Sequence, residues 1–524
     1  MSQAVSPSSG PSGHGCAPLA SLSPAGEGES VRSFGRRFMG RGVIIALPFF
    51  LLSLPLLKAV LMWGAGLELH FDEAQYWEWS RRLDGSYYSK GPLVAWLIAL
   101  SETLLGHGAW QVRLPAWLAY SGFLALLFYF AHQVWNSRAA SEWVLLLGLT
   151  TPLFFSLGSV MTTDILLLLL WTWGLWAVWR ALFRGRSLAW YEFGAAAGLG
   201  GLTKLSIVLL PVFVGLWLLL TRAGREQLKT PHPWLAALLA LVLFSPVVLW
   251  NAQHDWVMFR HELGHVAHDE LSLNSLLDFS LTQIFALSPL VALVAASVLW
   301  RRPASEQQRF LWYSSLSLLG FFLIKAFSAK VQLNWAAPSY IGFLILFAGQ
   351  LPNLARVKRA FVYVGVFISL TMIAIGHFPY SFGLASQQDP FRKMRAWQAP
   401  VVTVQIGLEE AGKPIEFILT DSYTLAGELA FYWPTPMPVY ITGNATRRYN
   451  QHDLWPGIER EAGRNGAYIS TSTEPPPELL RAFTHCVLLP PVTAYAPDGA
   501  VLRTLYARHC TDYQPITWPR PSRY

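Results

Sequence analysis

Apolar residues run in long blocks separated by short polar loops, and the blocks change character once, near Phe378. Runs of about 18 or more apolar residues can cross a bilayer as helices. Eleven such runs fall near residues 41–63, 110–134, 141–160, 164–183, 188–203, 205–221, 233–251, 276–300, 308–327, 332–350 and 360–378, the fifth of them short and rich in glycine. Leu93–Leu105 is too short to span and reads as a re-entrant or interfacial helix, so the expectation is about 11–13 transmembrane helices. Beyond Phe378, the short apolar segments IEFIL, PVYIT, AYIST, CVLLP and VLRTLYA alternate with helix-like stretches at Trp397–Gly412, Tyr423–Phe431, Leu454–Gly463 and Pro476–Phe483. That alternation predicts a small α/β domain of roughly 130 residues. The fold class expected is therefore a polytopic α-helical membrane protein with a small C-terminal α/β domain.

Composition agrees with this pattern. Of 524 residues, 53% are hydrophobic and 13% charged, against about 25% charged in soluble proteins. The first 30 residues, rich in Ser, Pro and Gly, read as part of a disordered cytoplasmic tail (residues 1–35) rather than a signal peptide, because no cleavage motif follows an apolar core. With that end inside, Arg138, the Arg180–Arg184–Arg186 group, Arg222–Arg225–Lys229, Arg301–Arg302–Arg309 and Arg356–Lys358–Arg359 all fall on the inner side. Basic short loops favour the inner face. The net charge of +8 is explained by topology and requires no nucleic acid partner. The membrane region is expected at 36–384 and the external domain at 385–524.

On the opposite face lies the stretch Glu68–Pro115, with Asp72, Glu73, Glu78, Arg81, Arg82, Lys90 and Arg113 interleaved with Phe71, Tyr76, Trp77, Trp79, Tyr87 and Tyr88. Charges beside a bilayer are costly and mark a working site. Aromatic rings suit the interface. Loop 64–109 is thus the candidate catalytic segment. Partial desolvation, with Glu73 alongside, would raise the pKa of Asp72 toward that of a general base. The competing reading is that Asp72 caps the helix it begins. Arg113 starts a span, where arginine also snorkels. Asp164 opens another, where a carboxylate serves the cap and the helix dipole. Lys204 sits between two apolar runs, either at a phosphate or snorkelling.

The acidic pair Asp72–Glu73, YYSKGPL at 87–93, VRLP at 112–115, MTTD at 161–164, GLTK at 201–204 and LNWAAPSY at 333–340 occur in an order that resembles the C-type glycosyltransferases of the protein mannosyltransferase superfamily. The resemblance is to the bacterial branch that includes the lipid A aminoarabinose transferases and the rhizobial galacturonosyltransferases. It implies an inverting enzyme of the bacterial inner membrane, active on the periplasmic face. Such an enzyme moves a sugar from a polyprenyl phosphate donor to lipid A, lipopolysaccharide or another glycan or protein acceptor. The implied roles are catalysis for Asp72, Glu73 and Asp164, donor phosphate binding for Lys90, Arg113, Arg81 and Lys204, and a substrate pocket at Tyr76, Tyr88, Asn334 and Trp335. No cofactor is required. Gly91 departs from the pattern, which has a proline there, and is expected to loosen the loop at Lys90.

A different class is suggested by HELGH at 261–265, where His261 and His265 match the two zinc ligands and Glu262 the base of a membrane metalloprotease, with His268 as a further ligand. A transporter would need repeated halves, which are absent from the sequence. Neither a G-x-G-x-x-G fingerprint nor a P-loop is found. Cys486 and Cys510 form an even pair in the external domain, either bridged or left as two thiols.

Overall fold

The computed structural model describes residues 48–264, 272–412, 414–444 and 447–521. The expected N-terminal tail lies outside them. Residues 51–524 form one compact unit. An apolar helix, Pro48–Gly64, opens the described chain.

Each apolar run becomes a helix or a broken pair of helices. Among the described residues, four helices are long and apolar enough to cross a membrane: Ala109–Trp135, Thr163–Arg184, His232–Gln253 and Arg356–His377; up to six segments qualify if each sharply bent pair is one span. The chain is thus a multi-span membrane protein, with fewer uninterrupted crossings than the eleven runs suggest. The breaks have local causes. The run 276–300 splits into Leu273–Ala286 and Pro289–Leu299, bent by 99°, because Ser288 adopts a positive φ of 75° and Pro289 starts a new helix. The run 141–160 is divided at Thr151, ahead of Pro152. The glycine-rich run becomes Ala189–Gly201, and a Cβ on Gly194 would lie 2.4 Å from the Ala236 carbonyl oxygen of His232–Gln253. Glycine there allows two membrane helices to touch backbone to backbone. Leu93–Leu105 is a short helix, as expected.

The C-terminal part contains six strands: β1 (Phe417–Thr420), β2 (Val439–Ile441), β3 (Gly466–Ser470), β4 (Phe483–Leu488), β5 (Val492–Tyr495) and β6 (Val501–Tyr513). Their order is β2-β1-β3-β6-β4, with β5 also on β6. β1 pairs parallel with β2 and β3, while β6 pairs antiparallel with β3, β4 and β5. Phe417, Tyr468, Phe483 and Tyr513 fill the core on one side of the sheet. Five strands arise where the alternation predicts them, and β5 is additional. The helix expected at Leu454–Gly463 is only a 3-10 turn, Ile458–Glu461. Cys486 and Cys510 face each other across β4 and β6 and are disulfide-bonded, with Cα atoms 4.1 Å apart.

The helix Tyr423–Tyr432, which follows β1, packs against Phe71–Ser80 of the first polar segment. Gly427 makes the close contact: a Cβ there would sit 2.9 Å from the Gln75 nitrogen. The Tyr432 hydroxyl accepts from the Leu69 N–H at 2.7 Å, and Phe431 meets Trp77 edge-on at 5.1 Å. Through these contacts the sheet domain holds the helix that bears Asp72.

Candidate active site

Phe71–Ser80 begins with a reciprocal cap. His70 accepts from the Asp72 N–H at 3.3 Å, and the Glu73 carboxylate accepts from the His70 N–H at 3.0 Å. The capping oxygens come from Glu73, which leaves the Asp72 carboxylate outside the cap. The nearest ionisable contact of Asp72 is His70 Nδ1 at 3.5 Å, and 38% of its side chain is open to solvent. Burial of the remainder pushes its pKa up; the charges of Asp164 and Glu73 add to this, while those of His70 and Lys90 oppose it.

Glu73 has the opposite surroundings. It is fully buried and takes Arg113 Nε at 3.0 Å and Nη2 at 2.9 Å, together with the Met161 N–H at 2.8 Å. Arg113, also buried, donates to the Leu67 and Glu68 carbonyls as well. Glu73 and Arg113 thus tie the first polar segment to the start of Ala109–Trp135 and to the MTTD segment. The bonding groups of both are engaged within the protein. Arg81 pairs with Glu102 at 2.6 Å and is half-exposed.

The other expected residues converge. Asp164 lies in the first turn of Thr163–Arg184, yet its bonds are tertiary: Oδ1 accepts from Lys204 Nζ at 2.9 Å and Oδ2 from Asn334 Nδ2 at 2.8 Å. Three sequence motifs, 170 positions apart at their furthest, meet at one carboxylate. Tyr76 reaches the same place. Burial raises its phenol well above the ordinary value, and the charges of Asp72 and Asp164 add to the rise, while a hydrogen bond with Thr163 opposes it.

Lys90 stands on a loop pinned to the segment carrying Lys204. The Leu93 N–H donates to the Leu202 carbonyl at 2.9 Å, and a Cβ on Gly91 would lie 2.2 Å from that same oxygen. Glycine here tightens the loop, contrary to the looseness expected of it, because only its bare backbone can approach Leu202 so closely. Lys90 Nζ donates to Glu262 Oε1 at 2.8 Å. Burial pushes the Glu262 carboxyl up, but the charge and hydrogen bond of Lys90, with His261 and Lys204 nearby, overcome that and leave it below its usual value.

Two residues of HELGH are engaged by the first polar segment. Glu262 is held by Lys90, and His261 Nδ1 lies 3.0 Å from the Tyr88 hydroxyl. His265 and His268 fall outside the described residues, among which no cluster of three metal-ligating side chains occurs. Trp335 lies under Lys325, whose Nζ is 5.0 Å from the ring centre.

The sequence did not single out Glu262 as the partner of Lys90, nor Lys325. It also missed what the C-terminal part supplies. Gln451 accepts from the Tyr88 N–H at 2.7 Å, and His452 Nε2 lies 3.1 Å from Glu78. Tyr423 has its phenol pushed up by burial and then by the Asp72 charge. No local signal could have found these, since each depends on how the sheet domain docks.

Residues 89–250 match the dolichyl-phosphate-mannose-protein mannosyltransferase family. The lipid A galacturonosyltransferase RgtD of Rhizobium johnstonii is 28% identical over 315 residues, covering 58% of this chain and 64% of that protein. An undecaprenyl phosphate-alpha-4-amino-4-deoxy-L-arabinose arabinosyl transferase of Pectobacterium carotovorum is 26% identical over 346 residues, covering 61% and 60% respectively. The chain spans about three fifths of the length of the curated relatives it matches. The structure of ArnT from Cupriavidus metallidurans bound to undecaprenyl phosphate superposes with a TM-score of 0.61 at 17% identity, over 89% of this chain and 98% of that one, a likeness of fold. Residues 89–250 are therefore similar to the dolichyl-phosphate-mannose-protein mannosyltransferase family, and the multi-span fold is like that of ArnT.

Proposed function

We propose that the protein is an inverting glycosyltransferase that moves a sugar from a polyprenyl phosphate to a cell-envelope acceptor, lipid A or the lipopolysaccharide core. The observation that carries this reading is a half-open carboxylate, Asp72, with its pKa raised, beside a fixed Asp164–Lys204–Asn334 cluster and Lys90. The donors and acceptor named for the relatives, undecaprenyl phosphate sugars and lipid A, suit such a site.

In this mechanism an acceptor hydroxyl oxygen bonds to the anomeric carbon as the bond from that carbon to the phosphate oxygen breaks. The hydroxyl proton passes to the Asp72 carboxylate. The electron pair leaves with the polyprenyl phosphate, whose charge Lys90 and Lys204 stabilise. Fixed cations in a water-poor site do this with little reorganisation. Donor phosphate would displace Glu262 from Lys90. Asp164, itself held by Asn334, would keep Lys204 in place, with Tyr76, Tyr88 and Trp335 lining the pocket. An apolar cavity of about 510 Å³ between Pro289–Leu299, Glu306–Ala326 and Tyr340–Gln350 suits the lipid tail; Tyr340, which lines it, ends the segment that begins at Asn334.

The active face is placed outside the inner membrane. Basic loops on the other side support that placement, and so does the disulfide, because disulfides persist in oxidising compartments. Purified protein in detergent, supplied with polyprenyl phosphate sugars and lipid A, is expected to form glycosylated lipid A. Absence of transfer with every donor tested would reject the assignment.

A further inference from the structure

A cleft of about 670 Å³ opens where the end of the Asp72 helix meets the C-terminal part. One wall is Arg82, two residues beyond Phe71–Ser80. The opposite walls are Tyr440 of β2, Tyr449, Trp455 and the chain end around Trp518. Its size falls within the range typical of small-molecule sites, roughly 300–1,000 Å³.

The walls are held in place. Glu78 pairs with His452 at 3.1 Å, joining the helix to the segment that carries Trp455. Arg447 makes a bidentate pair with Asp453, at 2.7 and 2.6 Å. The Tyr440 hydroxyl donates to Glu461 at 2.7 Å, and Trp518 Nε1 donates to the Tyr513 hydroxyl at 3.1 Å. A Cβ on Gly443 would lie 2.4 Å from the Pro519 carbonyl oxygen, so that glycine lets the chain end close the cleft.

Within this frame Arg82 is left over. Its guanidinium lies over the Trp455 ring at 4.4 Å. Among the described residues it has no carboxylate partner, unlike Arg447 beside it. An exposed cation on an aromatic face, with further rings around a polar opening, offers what an anionic saccharide needs. Sugar C–H faces stack on aromatic rings, hydroxyls bond to polar rims, and a phosphate or carboxylate group pairs with the guanidinium fork.

We propose that this cleft binds an anionic saccharide, the part of the acceptor glycan that lies beyond the reacting sugar. Its link to transfer rests on the function proposed above. Eight residues of helical rise, about 12 Å, carry the chain from Asp72 to Ser80, and Arg82 follows two residues on, so a glycan of a few units reaches from one site to the other. The cleft would then select acceptors by their charge and length, while the Asp72 centre performs the chemistry.

Two measurements on the full chain in detergent decide the matter. The first is direct binding of a phosphate-bearing core oligosaccharide, released from lipopolysaccharide by deacylation, followed by calorimetry. Native protein is expected to bind it, and Arg82→Gln and Trp455→Ala are each expected to weaken binding about tenfold or more, the scale of losing one charged or stacking contact. Arg82 is exposed, so Arg82→Gln keeps the test decisive if Trp455→Ala does not fold. No binding by native protein, unchanged binding in folded variants, equal binding of a neutral maltooligosaccharide, or full displacement by inorganic phosphate alone would each overturn the proposal. The second is transfer kinetics, where the variants should raise the acceptor KM about tenfold with kcat within about twofold. An unchanged acceptor KM in folded, active Arg82→Gln would also overturn it. Oligosaccharide binding that depends on Arg82 in a protein showing no transfer would uphold the cleft and overturn the function.

Discussion

Asp72 and Glu73 are neighbours on one helix and carry the same charge, yet the protein treats them in opposite ways. Glu73 is sealed in, with Arg113 and two backbone N–H groups consuming its oxygens. Asp72 keeps a solvent-facing carboxylate near several charges and bonded strongly to none. A buried carboxylate with every lone pair satisfied gains order at the expense of reactivity, whereas one left partly desolvated and short of partners can take a proton. The Glu73 side fixes the helix, and the Asp72 side is the one that would face the proposed chemistry. The same division recurs at the lysines. Lys204 is paired with Asp164, which Asn334 holds in turn, whereas Lys90 is paired with Glu262, which the proposed donor phosphate would displace.

The largest expected effect tests the open side. Asp72→Asn keeps the shape but cannot accept the proton, so turnover should fall by about 10²–10⁴, with donor binding nearly unchanged in steady-state and binding assays. The pH profile carries the same signature. The base must be ionised, so activity is lost as pH falls through its pKa. Because that pKa is raised, the acid limb should lie above the ordinary carboxylate range and vanish from the residual activity of the variant. A folded Asp72→Asn protein with normal turnover would break the comparison.

Next in size is the closed side. Glu73→Ala leaves Arg113 buried without its counter-charge, and removal of one partner of a buried pair costs about 3–5 kcal/mol. The expected outcome is a large loss of thermal stability in detergent, with the protein that remains folded still transferring sugar. Activity lost in Glu73→Gln at full stability would move Glu73 to the reacting centre.

A smaller effect is expected at the fixed lysine. Asp164→Asn removes a charged hydrogen bond to Lys204, about 1.5–3 kcal/mol. The result should be a donor KM and turnover impaired by about 10- to 10²-fold, measured on protein of unchanged fold. If Asp164 mattered only as a helix-start residue, the substitution would be nearly silent, because asparagine caps as well as aspartate.

Much of this was legible from local pattern. Apolar run length located the helical segments but not their breaks, since a single apolar segment satisfies its own backbone in lipid as a helix. Strand alternation found five of the six strands and placed Cys486 and Cys510 in the same domain. The polar stretch around Asp72 stood out because charge near a bilayer is expensive. What the pattern cannot contain is which side of each bond a side chain takes. Glu73 and Asp72 carry equivalent signals in sequence, and only the positions of Arg113 and Met161 separate them. Gly91 read as a loose point until Leu202 came within contact of it. Asp164 offers both a helix-start and a catalytic reading in sequence, and only the fold brings Lys204 and Asn334, remote in sequence, to its oxygens.

Sequence by itself therefore determined the apolar helical segments, the α/β character of the C-terminal part and the set of polar residues from which a site could be made, because each depends on local pattern within a few turns of chain. Tertiary structure decided the pairings: which carboxylate is sealed and which left open, which lysine is held, and that Tyr423, Gln451 and His452 of the C-terminal part attend the first polar segment. Pairing is a matter of distances between groups hundreds of residues apart, fixed by how helices and sheet pack, and no window of sequence carries that information.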